Sequence, residues 1–222
     1  MSPCHIALVG DSDVSRWPPE LFPSPPSSAW SVVRNGLPGA CLEEITGLVA
    51  KIVADIAMES NDKEQNERKK NPLMMLVMCA GENDIGQGYS IDKIIRSFER
   101  VLDECFAFDM TMSKLILFLG PKLEPWLSTD HSSRKQYIKL SKAFQRAIER
   151  HKRKGDIFYI DCSLMFCGDS ANVPGAITAR AKAEERYFLN DGLHLSNEGY
   201  TIWKKVIEAE VGKILDASTN NA

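Results

Sequence analysis

The sequence predicts a three-layer α/β/α sandwich with a central five-stranded parallel sheet, and three observations carry that prediction. Short apolar runs alternate with longer segments of helical period, the order that β-α-β connections require. The runs "LMMLVMCAG" and "KLILFLGP" are apolar throughout, as strands covered on both faces must be. Most runs also stop at glycine, Asn-Gly or Gly-Pro, where the chain leaves the sheet.

Taken in order, "HIALVG" reads as the first strand. "WPPELFPSPPSS" carries too much proline for a helix or a central strand and reads as a surface loop. "AWSVVRNG" is the second strand. From Ala40 to Met58, Leu42, Ile45, Leu48, Val49, Ile52, Val53 and Ile56 recur at helical spacing, and "ESNDKEQNERKKNP" follows as a charged, solvated linker. "LMMLVMCAG" is the third strand, with Met74, Met75 and Met78 as core filler. A helix from Asp92 to Phe108 places Ile94, Ile95, Phe98, Val101 and Leu102 on one face. "KLILFLGP", a long polar helix over 132–154 and the strand "DIFYID" come next. Ser196 is the expected N-cap of a last helix carrying Tyr200, Trp203, Val206, Ile207 and Leu215. The pattern amounts to one domain over 1–216 and a flexible tail at 217–222.

Composition narrows the function. A net charge of −3 in 222 residues argues against a nucleic-acid partner. The one basic cluster, "ERHKRKG" at 149–155, falls where cations suit the end of a helix. The N-terminus shows no signal-peptide pattern and no apolar run reaches membrane-spanning length, so a cytoplasmic protein without a transmembrane segment is expected. Cys4, Cys41, Cys79, Cys105, Cys162 and Cys167 lack CxxC spacing and read as reduced, buried thiols. His5, His131, His151 and His194 have no zinc-site spacing. Glycine-rich nucleotide fingerprints and the G-x-S-x-G elbow are missing as well. No metal or organic cofactor is implied, and nothing in the pattern speaks to oligomeric state.

In a sheet of this class, ligands gather where strands end and helices begin. The strand ends here are Gly10-Asp11-Ser12-Asp13, Asn35-Gly36-Leu37-Pro38-Gly39 and Gly81-Glu82-Asn83-Asp84, and Asp191-Gly192-Leu193-His194 precedes the last helix. These are the parts an acyl-transfer site needs. Ser12 is the candidate nucleophile, His194 its base, and Asp191 the carboxylate that folds back to hold the imidazole. The Ser12 N–H, the Gly39 N–H and the Asn83 amide are the candidate oxyanion donors.

The four blocks "GDS", "NGLPG", "GEND" and "DGLH", in that order, resemble the SGNH, or GDSL-type, hydrolases, named for a Ser, a Gly, an Asn and a His in four separated blocks. The resemblance spans nearly the whole chain. It implies a flavodoxin-like sandwich, a Ser12-His194-Asp191 triad, and an oxyanion hole of Ser12, Gly39 and Asn83. It also implies hydrolysis of a small-molecule ester carrying a small or medium acyl group. An acyltransferase or a thioesterase on the same site is the nearest alternative, and a non-catalytic binding module is of a different class.

One departure stands out. Asp13 occupies the place after the serine where many members of that family have leucine. A carboxylate there slows turnover by opposing an oxyanion unless it points to solvent or binds substrate. Gly36 competes with Gly39 for the second block's donor role. A second Gly-Asp-Ser at Gly168, Asp169 and Ser170 follows the Asn block and reads as a turn. Trp17 with the proline loop either walls the site or is surface. "GPKLEPWLSTDH" at 120–131 should border it, with Lys122 or Trp126 as possible substrate contacts.

Overall fold

The computed structural model describes residues 4–24, 30–63, 73–107, 113–168 and 181–220. Five parallel strands, β1 (Cys4–Gly10), β2 (Trp30–Gly36), β3 (Leu73–Cys79), β4 (Ser113–Leu119) and β5 (Ile157–Ile160), form one sheet in the order β2-β1-β3-β4-β5. Among the described residues six α-helices accompany them: α1 (Ser12–Arg16), α2 (Leu42–Lys63), α3 (Glu82–Gly86), α4 (Ile91–Ala107), α5 (His131–Arg150) and α6 (Asn197–Asn220). Helices α2, α4 and α5 lie side by side, while Trp17, just after α1, packs against Trp203 of α6. The expected α/β/α sandwich is present, and no helix among the described residues is long and apolar enough to cross a membrane.

Register decides where chemistry can assemble. Gly36, Gly10, Cys79, Leu119 and Ile160 pair across the sheet in one row, so all five strands end level. The chain leaves β1 toward β2 on one side and then crosses to β3 on the other, which makes the β1/β3 boundary the switch point where a crevice opens.

The core is apolar on both sheet faces. Met74, Met75 and Met78 are buried in β3, as their run of apolar neighbours predicts. Phe98 of α4, Phe118 of β4 and Phe144 of α5 form a closed aromatic triangle with centroids 4.6–4.9 Å apart. Cys41, Cys79, Cys105, Cys162 and Cys167 are buried free thiols, and burial pushes the Cys79 thiol well above its usual value.

Several boundaries differ from the sequence pattern for local reasons. Helix α2 continues to Lys63, through the first residues of the charged stretch, because no Gly or Pro stops it before Pro72. Helix α5 stops at Arg150: His151 turns extended, and Lys154–Asp156 form a separate 3-10 turn. Helices α1 and α3 are single turns, too short to show a period. Ser196 caps α6, its Oγ accepting from the Gly199 N–H at 3.3 Å. Trp17 is neither surface nor site wall. It is fully buried against Tyr200 and Trp203, and its indole N–H donates to the Leu21 carbonyl at 2.9 Å. Asp169, Ser170 and the linker beyond Lys63 lie outside the described residues.

The aromatic triangle yields a stability prediction. Phe118→Ala, which empties its centre, is expected to cost about 3–5 kcal/mol in urea-induced unfolding. A loss below about 1 kcal/mol contradicts this account of the core.

Candidate active site

Each strand-end block has a local reason for its shape. Asp11 caps α1 by accepting from the Asp13 N–H at 3.1 Å, so Ser12 is the first helical residue and its N–H lies outside the helical ladder. Leu37 to Ala40 form a turn closed by the Ala40 N–H on the Leu37 carbonyl at 3.1 Å. Pro38 and Gly39 hold its central positions, and the Gly39 φ of +75° is the left-handed value a type II turn demands there. The turn's own bond does not use the Gly39 N–H, and a Cβ on Gly39 would meet nothing within 4 Å. Gly36 has a different constraint: a Cβ there would collide with the Ser15 backbone of α1. The two glycines of the second block are therefore distinct, one packed beneath the Ser12 helix and one exposed at the crevice.

The fourth block is a tight loop. The Gly192 N–H donates to the Leu189 carbonyl at 2.9 Å, with Gly192 at a φ of +66°. Asp191 Oδ1 accepts from the Leu193 and His194 backbone N–H groups at 2.9 and 3.0 Å, and Oδ2 lies 2.7 Å from His194 Nδ1. Burial opposes ionisation of Asp191, but the hydrogen bonds from His194 and from the Leu193 and His194 backbone together outweigh it and hold its carboxyl well below the usual carboxylate range. The pair fixes the imidazole with Nδ1 toward Asp191.

Direct bonds join the four blocks. The Leu37 N–H donates to the Gly10 carbonyl at 2.9 Å. The Asn83 amide donates to the Ala40 carbonyl at 3.0 Å and to Asp11 Oδ2 at 3.3 Å. Asp84 Oδ2 accepts from the Leu42 N–H at the start of α2 at 3.1 Å. The Leu195 N–H, next to His194, donates to Asp13 Oδ1 at 3.4 Å, and the Tyr200 hydroxyl donates to the Asp13 carbonyl at 2.8 Å. Ser12 at the start of α1, Gly39, Asn83 in the first turn of α3 and His194 thus stand on segments that are bonded to one another at the sheet's carboxyl edge.

Asp13 neither reaches solvent nor faces an open site. It is 4% exposed, and its Oδ2 lies 2.7 Å from Lys122 Nζ. Lys122 is itself 1% exposed and also binds Glu82 Oε2 at 2.6 Å and Glu124 Oε1 at 3.1 Å. Lys122 therefore is not a substrate contact: its three ammonium donors are taken by three carboxylates. Burial works against its charge, but Asp13, Glu82 and Glu124 outweigh it and hold the ammonium well above its usual value. Trp126 donates its indole N–H to Glu124 Oε2 at 2.5 Å. It also lines an open groove of about 600 Å³ beside Asp191, together with Pro125, Ser128, Lys182, Phe188 and Asn190. The sequence reading overlooked this cluster, although acidic residues after β1, β3 and β4 with a single lysine among them at the same edge were there to be read.

No family model matches the chain, and no curated protein matches it in sequence. Solved structures match it over nearly its whole length. The fold is that of the SGNH hydrolases. A GDSL-like lipase from Bacteroides thetaiotaomicron is 16% identical, covering 95% of this chain and 88% of its own at a TM-score of 0.59. A carbohydrate esterase family 3 protein from Talaromyces cellulolyticus is 15% identical over 98% of this chain and 99% of its own, at a TM-score of 0.60. A carbohydrate acetylesterase from Sinorhizobium meliloti is 12% identical over 95% and 99%, at a TM-score of 0.55. At such identities the likeness is one of SGNH fold.

Asp11 gives the site a pH signature. Burial first, and then the Asp13 carboxylate, push its carboxyl up to about 7, against Lys122 and the Asp13 N–H. Burial also raises Glu82 well above its usual value. Between about pH 4 and 7 folded Asp11 therefore keeps a proton that the unfolded chain releases, and stability falls as pH rises. The group contributes at most ~1.4 kcal/mol per pH unit. Asp11→Asn keeps an acceptor for the Asp13 N–H and is expected to flatten that slope in urea unfolding between pH 5 and 8. An unchanged slope contradicts the assignment of a buried, proton-holding Asp11.

Proposed function

We propose that the protein is a carboxylic ester hydrolase that removes a small or medium acyl group from a small-molecule ester through a Ser12 acyl-enzyme. The observation that carries this reading is the docking of the Asp191–His194 pair, 2.7 Å apart, onto the loop of Ser12 through the Leu195 N–H and Asp13. The SGNH fold, shared with esterases and lipases, supports ester hydrolysis in general.

The chemistry follows from the donors and acceptors. With Nδ1 held by Asp191, His194 Nε2 accepts the Ser12 hydroxyl proton as Oγ bonds to the acyl carbon. The carbonyl oxygen becomes an oxyanion, which takes hydrogen bonds from the Ser12 N–H, the Gly39 N–H and the Asn83 amide. The imidazolium, stabilised by Asp191, gives its proton to the leaving alcohol as the ester C–O bond breaks. Water then repeats the sequence on the acyl-enzyme and restores Ser12. Both Asn83 amide hydrogens are engaged at rest, so its oxyanion contact replaces the longer bond, the one to Asp11 at 3.3 Å. The groove beside Asp191 offers Trp126 and Phe188 as apolar surface and Ser128 and Asn190 as polar contacts, a mixed lining that suits a small polar alcohol portion.

Two outcomes test the reading. Hydrolysis of p-nitrophenyl esters from acetate to palmitate is expected to favour short chains and to vanish in Ser12→Ala. A folded wild-type protein that hydrolyses none of them, nor acetylated sugars or acyl-CoA, and leaves Ser12 unlabelled by a fluorophosphonate, overturns it. Asn83→Ala is expected to lower kcat by roughly 10²–10³ with little change in KM, as for removal of one oxyanion donor. A kcat within about threefold of wild type removes Asn83 from the oxyanion hole.

A further inference from the structure

Resting on the proposed Ser12 mechanism, we infer that Asp13 and Lys122 are positioning residues: a buried ionic clamp that sets the distance between the loop of Ser12 and the loop of His194. Three observations converge on it. Lys122 binds Asp13, which follows Ser12 in sequence, and Glu82, which precedes Asn83. The Lys122 backbone N–H binds Glu82 Oε1 as well, at 2.8 Å, so the two residues are joined twice. Asp13 then reaches the fourth block through the Leu195 N–H, next to His194, and the start of α6 through the Tyr200 hydroxyl. One ammonium thus touches the sequence neighbours of the nucleophile and of an oxyanion donor, and lies one residue from the neighbour of the base.

Stability alone does not account for this arrangement. Three carboxylates surround one cation, Asp11 lies close by, and burial raises the carboxyls of Asp11 and Glu82. Buried ion pairs are commonly no more stable than apolar groups of the same volume. Leucine, the residue many SGNH members have after the serine, carries no charge to bury. What leucine lacks is an acceptor for the Leu195 N–H and a fixed direction toward β4. Glu124, held by Lys122 on one oxygen and by Trp126 and Tyr137 on the other, extends the clamp to the wall of the groove beside Asp191.

Asp13→Asn and Asp13→Leu test the clamp, because each removes a negative charge from a cluster with an excess of them and leaves Lys122 paired with Glu82 and Glu124. The clamp predicts folded variants, with Tm unchanged or raised, in which kcat and the rate of fluorophosphonate labelling of Ser12 fall by about 10- to 100-fold while KM stays near wild type. The fall should be smaller in Asp13→Asn, which keeps an acceptor for the Leu195 N–H. Folded variants with wild-type kcat and labelling rate overturn the proposal, and so does failure of both to fold, which makes Asp13 a residue of the fold. Wild type and Ser12→Ala run alongside separate this from failure of the ester hydrolase reading: an inert wild type refutes that reading, while an active wild type with active Asp13 variants refutes only the clamp.

Discussion

A lysine ammonium placed beneath the end of a sheet, out of reach of water, must find an acceptor for each of its three N–H groups or lose its charge. Lys122 meets that constraint with Asp13, Glu82 and Glu124, and the sheet's edge is arranged around it. Because β1, β3 and β4 end in one row, the residues just beyond them converge within the reach of a single side chain. A one-residue slip of β1 against β3 would turn the strand's whole side-chain set to the other face and carry the residues beyond Gly10 out of line with Glu82. Register and ion cluster are thus mutually dependent: the level strand ends bring the carboxylates together, and the shared cation rewards only that level.

The same dependence explains which features were legible in the sequence. All five strands and the four long helices announced themselves, because continuous apolar runs and helical periods are local and repeated. Boundaries failed where the determining contact is not local or the element has no period. Helix α2 overran its apolar pattern because polar helix formers continue it, and α1 and α3 are single turns held by Asp11 and by the Gly81 backbone rather than by periodicity. Trp17 sat in a proline-rich, loop-like stretch, yet its partners Tyr200 and Trp203 lie more than 180 residues away.

The candidate site was legible as four blocks but not as an electrostatic object. Strand ends and a family resemblance single out Ser12, Gly39, Asn83, Asp191 and His194, and hydrogen bonds join the segments that carry them. Taken singly from the sequence, Asp13 is a carboxylate awkwardly near an oxyanion and Lys122 a candidate substrate contact. Each reading presumed a group facing solvent or substrate. Both fail for one reason, which pairing across 109 positions of sequence hides: each is the other's counter-ion. A charged residue at a strand end has two places to go, and composition does not say which; a second charge of opposite sign at the end of a neighbouring strand does.

Under the proposed Ser12 mechanism, pairing Asp13 with Lys122 has a consequence for the oxyanion. A free carboxylate one residue from the nucleophile would raise the energy of a developing negative charge, whereas one that shares an ammonium presents a much weaker field. The two carboxylates of the first block are then set apart by environment. Asp13 is ion-paired with Lys122, while burial and the charge of Asp13 push Asp11 toward its protonated form near neutral pH. A protonated Asp11 accepts less strongly from Asn83, which loosens the 3.3 Å bond that an oxyanion would displace under the proposed mechanism. In that mechanism the same burial that weakens the fold as pH rises would leave Asn83 easier to recruit as an oxyanion donor.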